Sequence, residues 1–520
     1  MSLMRQAKRC VFGIGAGFAV VVAAGCIITK VNVEEVGPSP EGTVVRSPLK
    51  AHLVDGSTVV FKDGATVSSL LVRGDGSRFP LDGGTPIPVT NVAIDSIVGM
   101  ESYQTRVDAA PTILTSAAAT VVVVAAAAAA AVAAFGSCPT FYSDSAGTAV
   151  LEAEGFSYSI APLFEQRDVD RLRATVGADG QLRIEVRNEA LETHYLNHLE
   201  ILEARHLRDE LIVPDQRGMP IALRELRAPP VARDRSGRDV ASLVANADGA
   251  VFSTAAVTLA RADSSDLEDY MDLVVPHPAS GDSLAIMFRL RNSLLNTVLL
   301  YDNMLAAPGP ASLDWLGSDV QKISTAVDLG KWYGKHMGMR ISVLGEDGYH
   351  EVARFSDKGP IAFHDIAVVI AAPKGNNVHL RLAFVADDWR IDRIAISSAF
   401  NRPPTRRVAL TSVIGSDEVA DPAALKSLKS SDDNYLVTNP GQHFSARFTP
   451  GKLGADSVRT FLLVSQGYYT EWVRGAWLKK SAESKPFVPS DGALASALAG
   501  WRTRQEVLEQ QFYSSRIPTR

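Results

Sequence analysis

Polar and apolar residues alternate along several short segments between residues 251 and 400, which is the pattern of strands with one buried face. The segments are residues 283–291, 340–344 and 349–355, together with the more continuously apolar 361–371 and 378–384. They recur about every ten residues with Gly, Pro and Asn between them, a spacing typical of antiparallel sandwiches. We therefore predict a β-sandwich of jelly-roll type over residues 251–400.

Two further stretches show short strand patterns of the same kind. Residues 137–250 contain the alternating segment 181–186, which follows a glycine-containing turn. Residues 405–475 contain strand candidates at 434–438, 443–448 and 458–465. We predict a β-rich domain in each stretch, and a fold class that is mainly β.

Residues 48–108 contain short apolar segments separated by Asp55-Gly56, Asp63-Gly64 and Gly83-Gly84. Asp-Gly between apolar runs is a strong hairpin signal. About five strands in such a short stretch predict a small barrel, similar in outline to SH3-like barrels. Barrels of this kind often bind peptides or mediate assembly, but a fold alone does not assign a function.

Two segments have helical patterns. Residues 112–135 are rich in alanine and contain no charged residue, and alanine is the strongest helix former. We predict an apolar helix there, either packed on protein or inserted in a membrane as a second anchor. Residues 476–520 form a predicted helical tail, because its apolar residues follow helical spacing. These residues are Leu494, Leu498, Trp501, Leu508 and Phe512.

Residues 1–25 combine basic residues, a short apolar run and small residues before Cys26, which is the layout of a secretory signal peptide. The run is short for a spanning helix, which needs about 20 apolar residues. Ala23-Ala24-Gly25-Cys26 resembles the lipobox of bacterial lipoproteins, with Ala23 where that family prefers Leu. The resemblance implies cleavage before Cys26 and acyl chains on its sulfur. An uncleaved anchor helix is the alternative.

The lipoprotein resemblance implies a location in the bacterial cell envelope, with the body in the periplasm or at the surface. Ile27 replaces the Asp that often retains lipoproteins in the inner membrane, so the resemblance favours the outer membrane. Each buried acyl CH₂ contributes about 0.8 kcal/mol, so several chains on one cysteine hold a soluble body at a membrane. Residues 26–47, which include a Pro- and Gly-containing stretch at 37–42, are then a predicted tether.

The composition and net charge of the chain bear on two questions, whether it binds nucleic acid and whether it forms disulfides. The 520 residues are 46% apolar and 21% charged, as in ordinary globular proteins. The net charge is −6 without a basic patch, which argues against a nucleic-acid partner. Of the three cysteines, Cys10 would leave with the signal peptide and Cys26 would be acylated. Cys138 alone would remain, so we expect no intrachain disulfide.

The sequence contains no familiar catalytic or metal-binding motif. Glu192, His194, His198 and His206 come closest to a zinc signal, but no strong third ligand has the usual spacing, and we expect a solvated strand face. G-x-S-x-G, Walker, EF-hand and C-x-x-C motifs are absent. Cys138 has no basic neighbour in sequence, which indicates a buried structural thiol. We therefore predict no catalytic residue, metal or cofactor.

Aromatic pairs are the candidates for ligand contact. Aromatic faces offer large contact area at low entropy cost, as stacking on a sugar ring requires. Core packing is the alternative for such residues. The candidates are Trp332, Tyr333, Tyr468, Tyr469 and Trp472.

Two functions remain open. Cys138-Pro139-Thr140-Phe141-Tyr142 and the later segment 188–195 resemble a group of uncharacterised bacterial envelope proteins, over residues 137–206, and the resemblance implies no activity. The strand pattern of 251–400 is similar to that of galactose-binding-like modules. The first function is a lipid-anchored, non-enzymatic binding or assembly module for an envelope protein or glycan. The second is a hydrolase of envelope or extracellular polymer. The absence of a catalytic motif favours the first.

Overall fold

The computed structural model describes residues 29–33, 43–46, 49–53, 58–61, 63–79, 87–107, 138–145, 148–190, 192–278, 281–306, 323–432, 434–438, 441–454, 458–471 and 487–514. The predicted leader, Cys26, the predicted helix at 112–135 and Trp472 lie outside these ranges. Within them the chain is mainly β, as predicted, with sandwich-like pairs of sheets and a C-terminal helix. None of the helices in these ranges is both long and apolar enough to cross a bilayer.

Residues 29–107 contain an antiparallel sheet of eight strands. They are β1 Thr29–Val33, β2 Thr43–Val45, β3 Leu49–Leu53, β4 Thr58–Phe61, β5 Ala65–Val67, β6 Leu71–Phe79, β7 Ile87–Ala93 and β8 Ile97–Val107. The strand order is β1-β8-β3-β4-β6-β5-β2, with β7 beside β6. This order is open among the described strands, so they form a sheet where the sequence predicted a barrel. It also includes β1 and β2, from the stretch predicted as a tether.

A single core holds this first sheet together. Leu49, Val59, Phe61 and Val67 are each 0% exposed. The turn after β4 requires glycine, because Gly64 has φ +84° and a β-carbon there would lie 2.0 Å from the Val45 carbonyl oxygen. The predicted Asp63-Gly64 turn is therefore present between β4 and β5.

The described part of the body begins at residue 138 and contains the remaining strands and five α-helices. The strands up to β18 are β9 Thr140–Ser145, β10 Thr148–Glu154, β11 Gln166–Leu172, β12 Leu182–Arg187, β13 Glu192–His206, β14 Leu211–Pro214, β15 Pro220–Arg224, β16 Val231–Asp234, β17 Glu268–Pro276 and β18 Ser283–Asn292. The later strands are β19 Met339–Gly345, β20 Gly348–Phe355, β21 His364–Ala371, β22 Asn377–Val385, β23 Trp389–Ser397, β24 Ala399–Asn401, β25 Thr405–Val408, β26 Leu410–Gly415, β27 Leu436–Thr438, β28 His443–Phe448 and β29 Val458–Glu471. The helices are α1 Ala256–Arg261, α2 Leu295–Val298, α3 Ile323–His336, α4 Pro422–Leu428 and α5 Asp491–Ser514, and a π-helix at Leu299–Ala306 continues α2.

These strands form five sheets, which we name A to E. Their strand orders are β10-β9-β12-β28-β26 (sheet A), β11-β29-β13-β25 with β27 beside β13 (sheet B), β14-β15-β24 (sheet C), β21-β18-β23 (sheet D) and β16-β17-β22-β19-β20 (sheet E). Adjacent residues of β14 show how the sheets are layered. Ile212 joins a core with sheet B, whereas Val213 joins a core with sheet D. Sheet C is therefore a middle layer, covered on both faces.

Two larger cores complete the layering. Sheets D and E enclose Phe252, Phe288, Phe384 and Trp389, so a sandwich is present, as predicted. Its first strand, β16, lies before the predicted start at residue 251. Sheets A and B enclose a second core, to which the helices contribute.

The C-terminal helix docks on the body through its apolar residues, as its spacing predicted. Leu494, Leu498 and Trp501 of α5 are at most 1% exposed and join the core of sheets A and B. Strand pairing in this part of the body is non-local. β12 pairs along its whole length with β28, so Leu182 lies opposite Phe448. Sheet A therefore crosses the predicted boundary between 137–250 and 405–475.

Candidate functional site on the outer face of sheet E

The outer face of sheet E carries polar and aromatic side chains because its strands alternate between core and solvent. In β17, Met271, Leu273 and Val275 are fully buried, while the residues between them are partly open. The strand register then aligns one outward residue from each of the five strands. This row is Arg233, Asp272, Arg381, Ser342 and Glu351.

Arg381 is at the centre of this face. Its Nε and Nη2 donate to the two carboxylate oxygens of Asp272 over 2.7 and 2.8 Å. Its guanidinium carbon lies 3.9 Å from the ring centroid of Tyr270 and 4.2 Å from that of Tyr349. The bonds to Asp272 raise the pKa of Arg381 above its usual value and fix the plane of the guanidinium. We call Tyr270, Arg381 and Tyr349 the aromatic tier.

A cleft of about 420 Å³ opens beside the aromatic tier. We call it the charged cleft, and its charged and aromatic lining consists of Arg235, Asp266, Glu268, Tyr270, Lys335, His336, Arg340, Arg381 and Asp491. The helices meet here, because Lys335 and His336 end α3 and Asp491 begins α5. Asp491 lies 2.7 Å from His336 Nε2 and 3.0 Å from Lys335 Nζ. Lys335 and His336 lie at the negative C-terminal end of α3, and Asp491 lies at the positive N-terminal end of α5, so each group is also favoured by the dipole of its own helix.

The carboxylates of the charged cleft are already paired with cations. Arg235 donates to both oxygens of Asp266, over 2.9 and 2.5 Å, and Arg340 pairs with Glu268. The bond from Arg235 lowers the pKa of Asp266, and hydrogen bonds led by that of Lys335 lower the pKa of Asp491. A carboxylate with a lowered pKa is a poor general acid near pH 7. The cleft therefore suits hydrogen bonding to a ligand better than proton transfer.

Asp357 and Asp388 form a pair of buried carboxyl groups. Such a pair could transfer protons, but a substrate cannot reach it. They are 1% and 0% exposed. Asn296 Nδ2 donates to both, over 3.0 Å to Asp357 and 3.3 Å to Asp388. Burial raises the pKa of Asp357 to about 6, and burial together with Asp357 raises that of Asp388. No sequence motif indicated this pair, and its burial fits a structural role.

Of the four residues nearest to a zinc signal, Glu192 and His194 lie 3.3 Å apart, but His198 and His206 do not join them. His194 is fully buried, and burial lowers its pKa to about 3. The expectation of a solvated face was wrong for His194, because sheet B has a core on each side and a bulge follows Leu196 in β13. No group of three potential metal ligands occurs among the residues that the structure describes.

Four of the five aromatic residues that the sequence singled out are described by the structure, and none of the four lines the charged cleft. Trp332 and Tyr333 contact each other, with ring centroids 5.0 Å apart, and Trp332 also packs against His336 of the cleft lining. Trp332 and Tyr333 are 8% and 0% exposed on α3, and Tyr469 is 0% exposed on β29. Tyr468 is half-buried and stacks on Tyr195, with ring centroids 4.6 Å apart. Burial favours core packing for the first three. A ligand-stacking role for the five stays a prediction.

No family model and no curated protein matches the chain. The C-terminal CBM6 of the laminarinase LamC from Zobellia galactanivorans is 10% identical, with a TM-score of 0.14, over 38% of this chain and 99% of that one. The GH31 α-xylosidase from Xanthomonas citri is 7% identical, with a TM-score of 0.16, over 84% of this chain and 38% of the xylosidase. The infectious bursal disease virus Gt strain structure is 10% identical over 93% of each chain, with a TM-score of 0.11. Values this low do not establish a shared fold.

Proposed function

We propose that this protein is a lipid-anchored, non-enzymatic protein of a bacterial cell envelope that binds a glycan on the outer face of sheet E. The observation that carries the proposal is the aromatic tier beside the charged cleft. Aromatic rings supply the flat apolar surface on which a sugar ring packs. Charged planar groups at fixed positions supply hydrogen bonds to its hydroxyls.

The ion pairs of the charged cleft favour binding in a second way. Arg381 is held by Asp272, and Arg235 by Asp266, so these groups are already ordered before a ligand arrives. Preorganised groups lose less conformational entropy on binding, which increases affinity.

The envelope location in this proposal rests on residues 1–26. Cleavage before Cys26 and acylation of its sulfur would hold the body at a membrane, with the outer membrane favoured by Ile27. More than one acyl chain is needed for stable anchoring. The glycans of the envelope would then be within reach of sheet E. Fatty-acid labelling of the wild type and of Cys26→Ser tests this part, since the variant should lose the label and leave the membrane fraction.

Glycan binding is tested with the full-length protein on immobilised peptidoglycan and envelope polysaccharides. Tyr270→Ala and Arg381→Ala should each weaken binding about tenfold or more, since each removes part of the aromatic tier. Tyr468→Ala, which changes a stacking candidate on sheet B, should bind as the wild type does if the glycan lies on sheet E. Binding that is lost only in Tyr468→Ala would place the glycan elsewhere. If the protein released reducing sugar or hydrolysed a panel of esters, the hydrolase hypothesis would replace the binding-module hypothesis.

A further inference from the structure

We infer a second ligand site, distinct from the outer face of sheet E, in a cavity where the edges of sheets B, C and D meet, and we propose that it takes a small organic anion. The cavity has a volume of about 270 Å³. Its walls are the start of β11, the turn at 214–218 after β14, and the segment that joins β20 to β21. Ligand pockets usually measure about 300–1,000 Å³, so this cavity suits a ligand near the lower end of that range.

The inner wall of the cavity is a fixed array of buried charges. His364 Nδ1 lies 2.6 Å from Asp170 Oδ1, and its Nε2 lies 3.4 Å from Glu154 Oε1. Burial alone would lower the pKa of His364, but the two carboxylates outweigh it and raise the pKa to about 10. Behind them, Cys138 Sγ donates to Glu154 Oε2 over 2.9 Å. The imidazolium is therefore held in place between two sheets.

Three of the four aspartates in the cavity lining are already neutralised. Asp170 is paired with His364, and Asp215 with Arg402. Asp365 is paired with two arginines, Arg171 at 3.3 Å and Arg289 at 3.2 Å. The fourth, Asp168, accepts the Phe156 N–H over 2.6 Å.

Three cations of the lining have no such partner. Arg167, Arg217 and Lys358 line the cavity, and none of them is within 4 Å of a carboxylate oxygen anywhere in the described part of the chain. Lys358 attracts Asp168, which is the one lining carboxylate without a cation in contact. The three cations face Asp168 in the lining and Glu154 behind it, because Glu154 shares the single charge of His364 with Asp170. One positive charge is left over around a cavity that is partly open to solvent, and such an excess attracts an anion.

The lining also indicates which anions fit. The guanidinium groups of Arg167 and Arg217 can hold a carboxylate or a phosphate group with paired hydrogen bonds. The amides of Gln166 and Gln216 also line the space and can bond to hydroxyl groups. A sugar acid and a sugar phosphate share this chemistry, namely one anionic group on a small hydroxylated body.

Calorimetric titration of the full-length protein with three probes tests the site: D-glucuronate, D-glucose 6-phosphate, and D-glucose as the neutral match. At least one of the two anions should bind, and D-glucose should bind about tenfold more weakly or worse. Binding of only one anion identifies the group that the site prefers. Arg217→Ala and Lys358→Gln should each weaken anion binding about tenfold. Arg208→Ala, an exposed arginine outside the lining, should leave it unchanged.

The proposal is overturned if neither anion binds at millimolar concentration, if D-glucose binds as tightly as the anions, or if both cavity variants bind as the wild type does. Tyr270→Ala separates this site from the glycan site on sheet E. That variant should keep its affinity for the anion, whether or not sheet E binds a glycan.

Discussion

The backbone of Gly359 lies directly against the carboxylate of Glu154. A β-carbon at position 359 would lie 2.4 Å from both Cδ and Oε1 of Glu154, and Gly359 has φ +137°. Nearby, the N–H groups of Ile361 and Ala362 donate to the same Oε1 over 2.8 and 2.9 Å. This close approach joins β10 of sheet A to the segment that leads into β21 of sheet D.

Gly359→Ala should destabilise the body much more than a matched glycine substitution. Gly237 also has a positive φ, +84°, but nothing lies within 4 Å of the place where its β-carbon would be. Gly237→Ala should therefore cost only the backbone strain, about 1 kcal/mol. Gly359→Ala adds a clash with a buried carboxylate and should cost about 3 kcal/mol or more. Urea unfolding of the two variants measures the difference, and equal losses would contradict the close packing.

The buried pair Asp357 and Asp388 should make stability fall as the pH rises. Burial raises the pKa of Asp357 from 3.8 to about 6, and that of Asp388 also rises. The folded state then binds protons more tightly than the unfolded chain, so this contribution is complete below about pH 3.8 and is lost as the pH rises through 6. For Asp357 alone the loss is about 3 kcal/mol. Asp388→Asn should reduce the total loss, because it removes the second carboxyl group, whose raised pKa adds a loss of its own. Urea midpoints between pH 4 and pH 7 measure it, and an unchanged profile in Asp388→Asn would exclude the pair as its source.

His364 should produce a separate loss of stability at alkaline pH. Its pKa is raised from 6.5 to about 10 by Asp170 and Glu154, against the opposing effect of burial. The stabilisation is complete below pH 6.5 and is lost as the pH rises toward 10. His364→Gln cannot carry the charge, so it should be less stable than the wild type at pH 6, with a smaller difference at pH 10. Thermal unfolding at the two pH values tests this, and a constant difference would show that the charge contributes nothing.

The sandwich of sheets D and E could be predicted from the sequence, whereas sheet A could not. Alternation depends only on neighbouring residues, so the segments that form β18 to β22 indicate a buried face whatever their position in the fold. Which strands pair with each other, in contrast, is not determined by residues that are close in the sequence. Leu182 lies opposite Phe448, and many other alternating strands could have supplied an equivalent partner. The sequence stretches were therefore assigned to consecutive domains, whereas sheet A combines strands from residues 140–187 with strands from residues 410–448.

The aromatic tier was missed for a related reason. Tyr270 and Tyr349 are single aromatic residues in separate strands, so no local cluster indicates them. Only the register of β17, β22, β19 and β20 brings both rings to Arg381. The obvious pair, Trp332 and Tyr333, lies on a helix that packs into the core. The one signal in the sequence was the alternation of polar and apolar residues over 349–355, which predicts a strand with one face toward solvent.

A buried hydrogen bond should add to the apolar contacts that attach the C-terminal helix. Trp501 Nε1 donates to Asp387 Oδ2 over 2.6 Å. Asp387 lies in the turn between β22 and β23 with φ +61°, and Arg390 holds its carboxylate through two further bonds of 2.8 and 3.1 Å. Trp501→Phe removes the N–H and part of the ring, and should cost about 2–4 kcal/mol.

A matched control for Trp501→Phe is available on the next residue of the same helix. Arg502 is exposed and donates to the carbonyl oxygen of Ala260 over 3.1 Å, so Arg502→Ala should change stability by less than about 0.5 kcal/mol. Thermal unfolding measures both variants, and limited proteolysis reports whether α5 detaches before the sheets unfold. Early cleavage within α5 is expected in Trp501→Phe alone, because Arg502→Ala keeps the buried hydrogen bond to Asp387. A Trp501→Phe protein with wild-type midpoint and cleavage rate would mean that the apolar contacts of Leu494 and Leu498 are enough to hold the helix.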